Sequence, residues 1–395
     1  MAGRSPCCPM LTALGCGLLL AALPAAADSQ VGAGVSLSPT EERSLGDYAG
    51  HQNHRFRQIT ANFSFGKNPY AISYQACVDP AHGDQVAPLE GYIGMPQPCS
   101  TGWYHSGFLF IQLNGQDIGT TPLGSMTVAE SGNRGILDMV WHHPTANVRV
   151  RFLGLPEHDG LYCEIALEPK QEITSIVVLA RCYPSFFTSW NHRDGARRIQ
   201  TPSALVEQGT SVTVPATDNW WAVYYDEVFD VANGEGDGPC ALMLLPQEAT
   251  DIQLSPQSYA VDTRITYPPG ERRLHLAFWK FPGRPNAEVL TAVREDATAI
   301  RGELETTDFT PAAVKDLDIA ALRAEVERAT RSEAVKAYLG DRLAEVRGWL
   351  DESAPALQQP AAAPSIEAEE KLLASVGKYY GFMWEVRLAE LLAGL

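Results

Sequence analysis

Positive charge is what this chain has least of. Against 47 Asp and Glu stand 30 Lys and Arg, a formal net charge of −17 over 395 residues. A surface of that sign repels phosphate backbones, which argues against nucleic acid as a partner. Charge of either sign is thin at 19% of residues, where about 25% is usual. After residue 27 no apolar run reaches the roughly 18 residues of a bilayer-crossing helix, so no mature membrane span is expected. The spacing Cys-x-x-Cys is missing, which argues against a thiolate zinc site and a thioredoxin-like motif. Gly-x-Ser-x-Gly, His-Glu-x-x-His, a Walker loop and a dinucleotide fingerprint are missing too, so no motif asks for a cofactor or names a reaction. No repeat of fixed period appears, which disfavours a propeller or solenoid. What is plentiful is hydrophobic residue, 45% of the chain, enough for a substantial core.

Residues 1–27 read as a signal peptide. Arg4 supplies the positive end and residues 11–23 an apolar stretch too short to span a bilayer. Ala25 and Ala27 are the small residues before a cut near Ala27. The mature product is therefore expected to be secreted or periplasmic. Cys7, Cys8 and Cys16 would leave with the signal, and the five cysteines that remain cannot all pair within one chain. Cys77 and Cys99 flank a stretch rich in Pro and Gly. A disulfide there would close a loop of about 20 residues and contribute roughly 3 kcal/mol. Cys163, Cys182 and Cys240 read as small buried hydrophobes. Cys163 and Cys182 stand out of register on two strands expected to form a hairpin around 168–173.

Residues 28–55 are polar and Gly-rich and read as an extended N-terminal segment. From 56 to 283 the period is two. Arg149 and Arg151 alternate with Val148, Val150 and Phe152, and Arg273 and His275 with Leu274 and Leu276. Runs such as 108–113, 173–180 and 241–245 read as strands covered on both faces. Asn114-Gly115 is a two-residue hairpin signal. A dozen or so strands with no helical period between them predict a mainly β fold, a large antiparallel two-sheet sandwich. The pattern then changes to a C-terminal helical region over 284–351. Val289, Val293, Ala297, Ile300 and Leu304 form one stripe, and Val335, Leu339, Leu343, Val346 and Leu350 the next. A Pro/Ala linker is expected at 352–365. The last segment, 366–395, is an amphipathic helix whose apolar face includes Leu372, Val376, Tyr379, Met383 and Val386, with Tyr380, Trp384, Leu388 and Leu391 beside it. So broad a stripe must be covered, either by the rest of the chain or by a protein partner.

The stretch richest in candidate chemistry is 217–239. Trp220, Ala222, Tyr224 and Asp226 share one face of a strand, and Trp221, Val223, Tyr225 and Glu227 the other. One face must pack the core, while the other is free to line a groove. Rings with polar neighbours suit a sugar, whose C–H faces stack on them while its hydroxyls seek Asp, Asn and Arg; the plainer reading is a Trp- and Tyr-filled core. A second cluster, in a loop where binding groups gather, holds Trp190, His192, Arg193 and Asp194. It offers a proton carrier and an anion clamp, or simply a local Arg–Asp pair. Asp230, Asn233, Glu235 and Asp237 lie among glycines and present hard oxygens of the kind calcium takes. Their spacing is not that of an EF-hand, and a solvated acidic turn explains them as well. His142-His143 point oppositely on a strand, and His51 and His54 sit on a turn with metal-like spacing.

The long strand region with aromatic strands such as Trp220-Trp221-Ala222-Val223-Tyr224-Tyr225 and 274–279 resembles the two-sheet supersandwich of galactose mutarotase-like proteins. The resemblance covers about 56–283 and rests on strand number and aromatic strands; no catalytic motif of that group matches. It implies a concave sheet face that meets sugars. The expected function is thus an exported protein that binds or processes carbohydrate on a sandwich face, through Trp190, His192, Arg193, Asp194, Trp220, Trp221, Tyr225 and Asp226. The alternative is a non-catalytic envelope or assembly protein that uses its C-terminal helices as an interaction surface.

Overall fold

The computed structural model describes residues 32–48, 51–79, 85–96, 102–184, 193–315, 317–357 and 365–394. The strands are β1 (Gly34–Leu37), β2 (Glu41–Tyr48), β3 (His51–Ser64), β4 (Tyr70–Asp79), β5 (Gln85–Gly94), β6 (Gly102–Trp103), β7 (Leu109–Leu113), β8 (Gln116–Asp117), β9 (Leu123–Glu130), β10 (Gly135–His142) and β11 (Ala146–Gly154). They continue with β12 (Leu161–Pro169), β13 (Ile176–Tyr183), β14 (Arg197–Gln200), β15 (Leu205–Glu207), β16 (Val212–Pro215), β17 (Trp221–Asp226), β18 (Cys240–Leu244), β19 (Asp251–Pro256), β20 (Val261–Tyr267) and β21 (Arg273–Lys280). Among the described residues the α-helices are α1 (Asn286–Thr306), α2 (Ala312–Lys315), α3 (Ile319–Ala329), α4 (Glu333–Leu339), α5 (Arg342–Leu357) and α6 (Ile366–Ala393). The fold is the expected mainly β one, with helices at the C-terminal end.

The strands form two antiparallel sheets. A 12-stranded sheet runs β1-β3-β4-β5-β7-β13-β20-β19-β16, with β2, β6 and β8 paired at its side. A 9-stranded sheet runs β15-β14-β17-β18-β21-β12-β11-β10-β9. Because side chains alternate along a strand, every second residue enters the space between the sheets. Ile72, Ile111, Val178 and Ile265 come from one side and Val150, Phe152, Ile165 and Leu276 from the other, all buried in one core. Asn114 (φ 53°) and Gly115 (φ 78°) turn β7 into β8, the left-handed pair that a two-residue hairpin needs.

Two departures from the sequence reading concern the strands. The 28–55 segment is not merely a surface extension, because β1, β2 and the start of β3 join the large sheet. Its β2 (EERSLGDY) has charged residues at both odd and even positions, so hydrophobic alternation does not reveal it. The expected hairpin of β12 and β13 does not form. β12 pairs with β11 and β21 in one sheet, β13 with β7 and β20 in the other. The turn after β12 therefore crosses between layers. Cys163, Cys182 and Cys240 are buried, and burial together with the neighbouring Cys240 pushes the Cys182 thiol pKa well up. Cys77 is buried as well, while Cys99 lies outside the described residues.

The outer face of the 9-stranded sheet is half apolar and half charged. Over the apolar half lies α1, placing Val289, Val293, Ala297 and Leu304 on Trp221, Val223, Tyr225, Met243 and Trp279. Each valine or leucine among them contributes about 1.5–3 kcal/mol by leaving water. Gly160 lets Trp279 lie flat, since a Cβ there would come within 2.4 Å of the indole. The remaining helices have a core of their own, with Val326, Val335, Leu339, Leu350, Leu372 and Val386. Helix α5 runs on to Leu357, beyond the expected start of the linker at 352, and residues 358–364 lie outside the described part. Among the described residues no helix is long and apolar enough to cross a membrane.

Candidate functional site

Two polar surfaces stand out, one on each sheet. On the outer face of the 12-stranded sheet, Glu41, Gln58, Gln75 and Tyr92 lie side by side in register on β2, β3, β4 and β5. Phe56 is two residues from Gln58 and therefore on the same face, with the Arg43 guanidinium 4.5 Å above its ring. With His105 and Ser106 these residues line a groove of about 450 Å³. Gln75 is buried, and its Nε2 donates to Ser73 Oγ (3.1 Å) and to the His105 carbonyl (3.0 Å). The amide is thus fixed in one orientation. Burial pushes the His105 pKa down, so the ring is neutral at neutral pH and offers one donor and one acceptor.

The charged half of the 9-stranded sheet is a network of ion pairs. β-sheet register brings Asp138, Arg151, Glu164 and His275 into one row across β10, β11, β12 and β21. Arg151 grips Asp138 with two bonds of 2.6 Å and donates to the Phe309 carbonyl at 3.0 Å. Glu164 accepts from Arg149 (3.0 Å) and Arg273 (2.5 Å) and lies 3.6 Å from His275. His275 Nδ1 is 2.6 Å from Glu248. Burial disfavours the imidazolium, but Glu164 and Glu248 outweigh it and lift its pKa to about 9. Burial likewise works against the Glu164 carboxylate, yet His275 and the arginines hold its pKa well below the usual range. Charges paired in this way hold one another in fixed positions.

From above, α6 closes this face. Glu369 bridges Arg151 (2.8 Å) and Arg149, and Glu370 meets Ser125 and, at 3.4 Å, His142. Ile366 is buried against Val140 and Ala166, and Glu168 accepts from the Ile366 amide at 3.1 Å. The fit is incomplete. A cavity of about 470 Å³ remains between sheet and helix, lined by Ser125, Thr127, Asp138, Arg149, Glu370 and Leu373 among others.

The residues singled out from sequence are placed elsewhere. Trp190 and His192 lie outside the described residues. Arg193 pairs with Glu235 (2.7 Å) and covers the Phe229 ring, and Asp194 is exposed. Trp221 and Tyr225 are buried under α1. Trp220 is half-buried beneath the Arg301 guanidinium, 4.6 Å away. Asp226 is wholly buried, and its Oδ1 accepts from the amides of Ala196, Val228 and Phe229. The structure thus brings none of the described rings of this set to a shared open hollow. Asp230 Oδ1 accepts from the amides of Ala232 and Asn286 (both 3.1 Å), and burial raises the Asp237 pKa. Among the described residues no three His, Cys, Asp or Glu side chains are arranged to hold a metal ion. His142 and His143 do point oppositely, one toward α6 and the other buried.

Gln58, Gln75, Tyr92, Asp138, Arg149, Arg151, Glu164 and His275 were not singled out as site residues. For Asp138, Arg149, Arg151, Glu164 and His275 the signal was visible in part, as charged or titratable residues at every second position of strands that are otherwise apolar. Which face those positions share, and what covers it, depends on strand order.

No protein-family description and no curated protein matches the chain. Among solved structures it is similar to an α-N-acetylgalactosaminidase of Bifidobacterium bifidum in complex with GalNAc, at 11% identity and TM-score 0.39, over 69% of this chain and 40% of that one. It is similar to a GH36 α-galactosidase of Geobacillus stearothermophilus at 10% identity and TM-score 0.31, over 56% and 40%. A heparan sulfate lyase of Pedobacter heparinus gives 8% identity and TM-score 0.30, over 55% and 34%. These neighbours are carbohydrate-active enzymes, of whose length the chain matches well under half. Likeness this distant assigns no reaction and no ligand to it.

Proposed function

We propose that the chain binds carbohydrate in the groove on the outer face of its 12-stranded sheet. One observation carries this reading: Gln58, Gln75 and Tyr92 stand in register across three strands beside Phe56, His105 and Ser106 in an open groove of about 450 Å³. Side-chain amides, a hydroxyl and a neutral imidazole supply both donors and acceptors for sugar hydroxyls, and the Tyr92 ring supplies a surface for sugar C–H groups. A sheet holds these groups at fixed spacing, which limits the ordering cost of binding. The test is isothermal titration of the full chain with a panel of neutral oligosaccharides. Gln75→Ala and Tyr92→Ala are each expected to weaken binding at least tenfold, and wild-type affinity in both variants would remove the groove from consideration.

A second reading has its own observation. Helix α6 buries Leu372, Val376, Met383 and Val386 but leaves Trp384 (73%) and Leu391 (65%) largely in water, with Leu388 between them. A row of large apolar side chains at that exposure favours a protein partner on this face of α6, in keeping with an assembly role.

A further inference from the structure

The contact between α6 and the 9-stranded sheet has the form of a ligand already in place. Arg149 and Arg151 lie on the sheet with side chains only 3% and 2% exposed. Between their guanidinium groups sits one carboxylate, that of Glu369, which the C-terminal helix supplies. This is how a protein holds the carboxylate of a bound molecule. The helix is a good fit at Glu369 and Ile366 but a poor one beside them, where the 470 Å³ cavity opens. Arg149 lines that cavity, and its buried Nε has no hydrogen-bond partner. A buried donor left unmet costs about 1–3 kcal/mol and calls for an acceptor. Ser125, Thr127 and Asp138 add hydroxyl and carboxylate groups to the same walls. Helix α6 meanwhile shares its main core with α2–α5 and not with the sandwich, so the helical bundle can shift without opening the space between the sheets.

We propose that this face of the 9-stranded sheet is a second binding site, for a uronic-acid unit, and that Glu369 occupies its carboxylate position until such a ligand displaces it. The ligand's carboxylate takes the place of Glu369 between Arg149 and Arg151. Its ring enters the cavity, where its hydroxyls meet Ser125, Thr127 and Asp138. The anion chemistry stands on the arginine pair alone; the saccharide class rests on the carbohydrate reading above. Because the helix's own carboxylate competes, apparent affinity is lowered by the fraction of molecules in which Glu369 is seated.

The competition makes a prediction that a purely structural ion pair does not. Titration of the full chain with glucuronate is compared between wild type and Glu369→Gln, with glucose and inorganic sulfate as further probes. The expected result is at least tenfold tighter glucuronate binding to Glu369→Gln, no binding of glucose at this site, and sulfate binding much weaker than glucuronate. Equal or weaker glucuronate binding by Glu369→Gln overturns the proposal. Sulfate binding as tight as glucuronate overturns its saccharide part. If Glu369→Gln does not fold, hydrogen exchange of wild-type residues 366–370 decides: glucuronate is expected to speed it, and unchanged or slowed exchange overturns displacement. Glucuronate binding that survives loss of the groove by Gln75→Ala separates this site from the first.

Discussion

His275 ties the stability of the sandwich to pH. It stands on β21 between Glu248, 2.6 Å from its Nδ1, and Glu164, 3.6 Å from its Nε2, with the Phe309 ring beside it. The pair of carboxylates lifts its pKa from the ordinary 6.5 to about 9 in the folded chain. The sign follows from linkage: a group whose pKa is raised by folding binds its proton more tightly in the native state. Its contribution is fully present below pH 6.5 and is lost as pH climbs through 9. A difference of that size corresponds to about 3 kcal/mol, and the side chain is only 18% exposed, so water screens little of it. The assay is urea unfolding of wild type and His275→Gln at pH 6 and pH 10. Glutamine keeps one amide donor for a carboxylate but never carries charge. Wild type is expected to lose about 3 kcal/mol more than the variant between the two pH values, a comparison that cancels titrating groups distant from the network. Parallel losses in the two proteins would refute the assignment of a charged His275 to this network.

Asp226→Ala leaves the buried amides of Ala196, Val228 and Phe229 without their acceptor; a loss of about 3–5 kcal/mol is expected. Asp226→Asn keeps an acceptor oxygen and should recover most of it, as thermal unfolding of the two variants would show. Trp384→Glu puts a charge on the exposed face of α6 and should abolish any self-association or partner capture seen by light scattering, while leaving the melting temperature within about 2 °C of wild type. A fall in stability without a change in association would mean that Trp384 is covered within its own chain.

How legible was this architecture? The period of two over 56–283 identified the sandwich, because a strand buried on one face must alternate. The stripe Val289, Val293, Ala297 and Leu304 identified α1 for the parallel reason in a helix. Arg149, Arg151, Arg273 and His275 were visible as polar residues inside apolar strands, but nothing local indicates that they converge. Their strands are 120 residues apart in the chain, joined through β12 by register alone. The aromatic strand β17 misled in the opposite direction. Its rings suggested an open sugar face, yet α1 covers one side and the second sheet the other. Rings of that size are as useful to a core as to a binding site, and only the neighbours distinguish the two.

What the sequence determined by itself is whatever one strand or one helix can express: the period of its apolar residues, the Asn114-Gly115 turn, the change from β to α after Pro285. Tertiary structure decided which sheet each strand joined, and hence that β12 and β13 part company despite their short link. It also decided that Gln58, Gln75 and Tyr92 form one surface and that Glu369 reaches Arg149 and Arg151 across more than 200 residues. The reason is that local preferences act through the backbone, over a few residues, whereas a site is made by side chains whose only relation is the packing that brings them together.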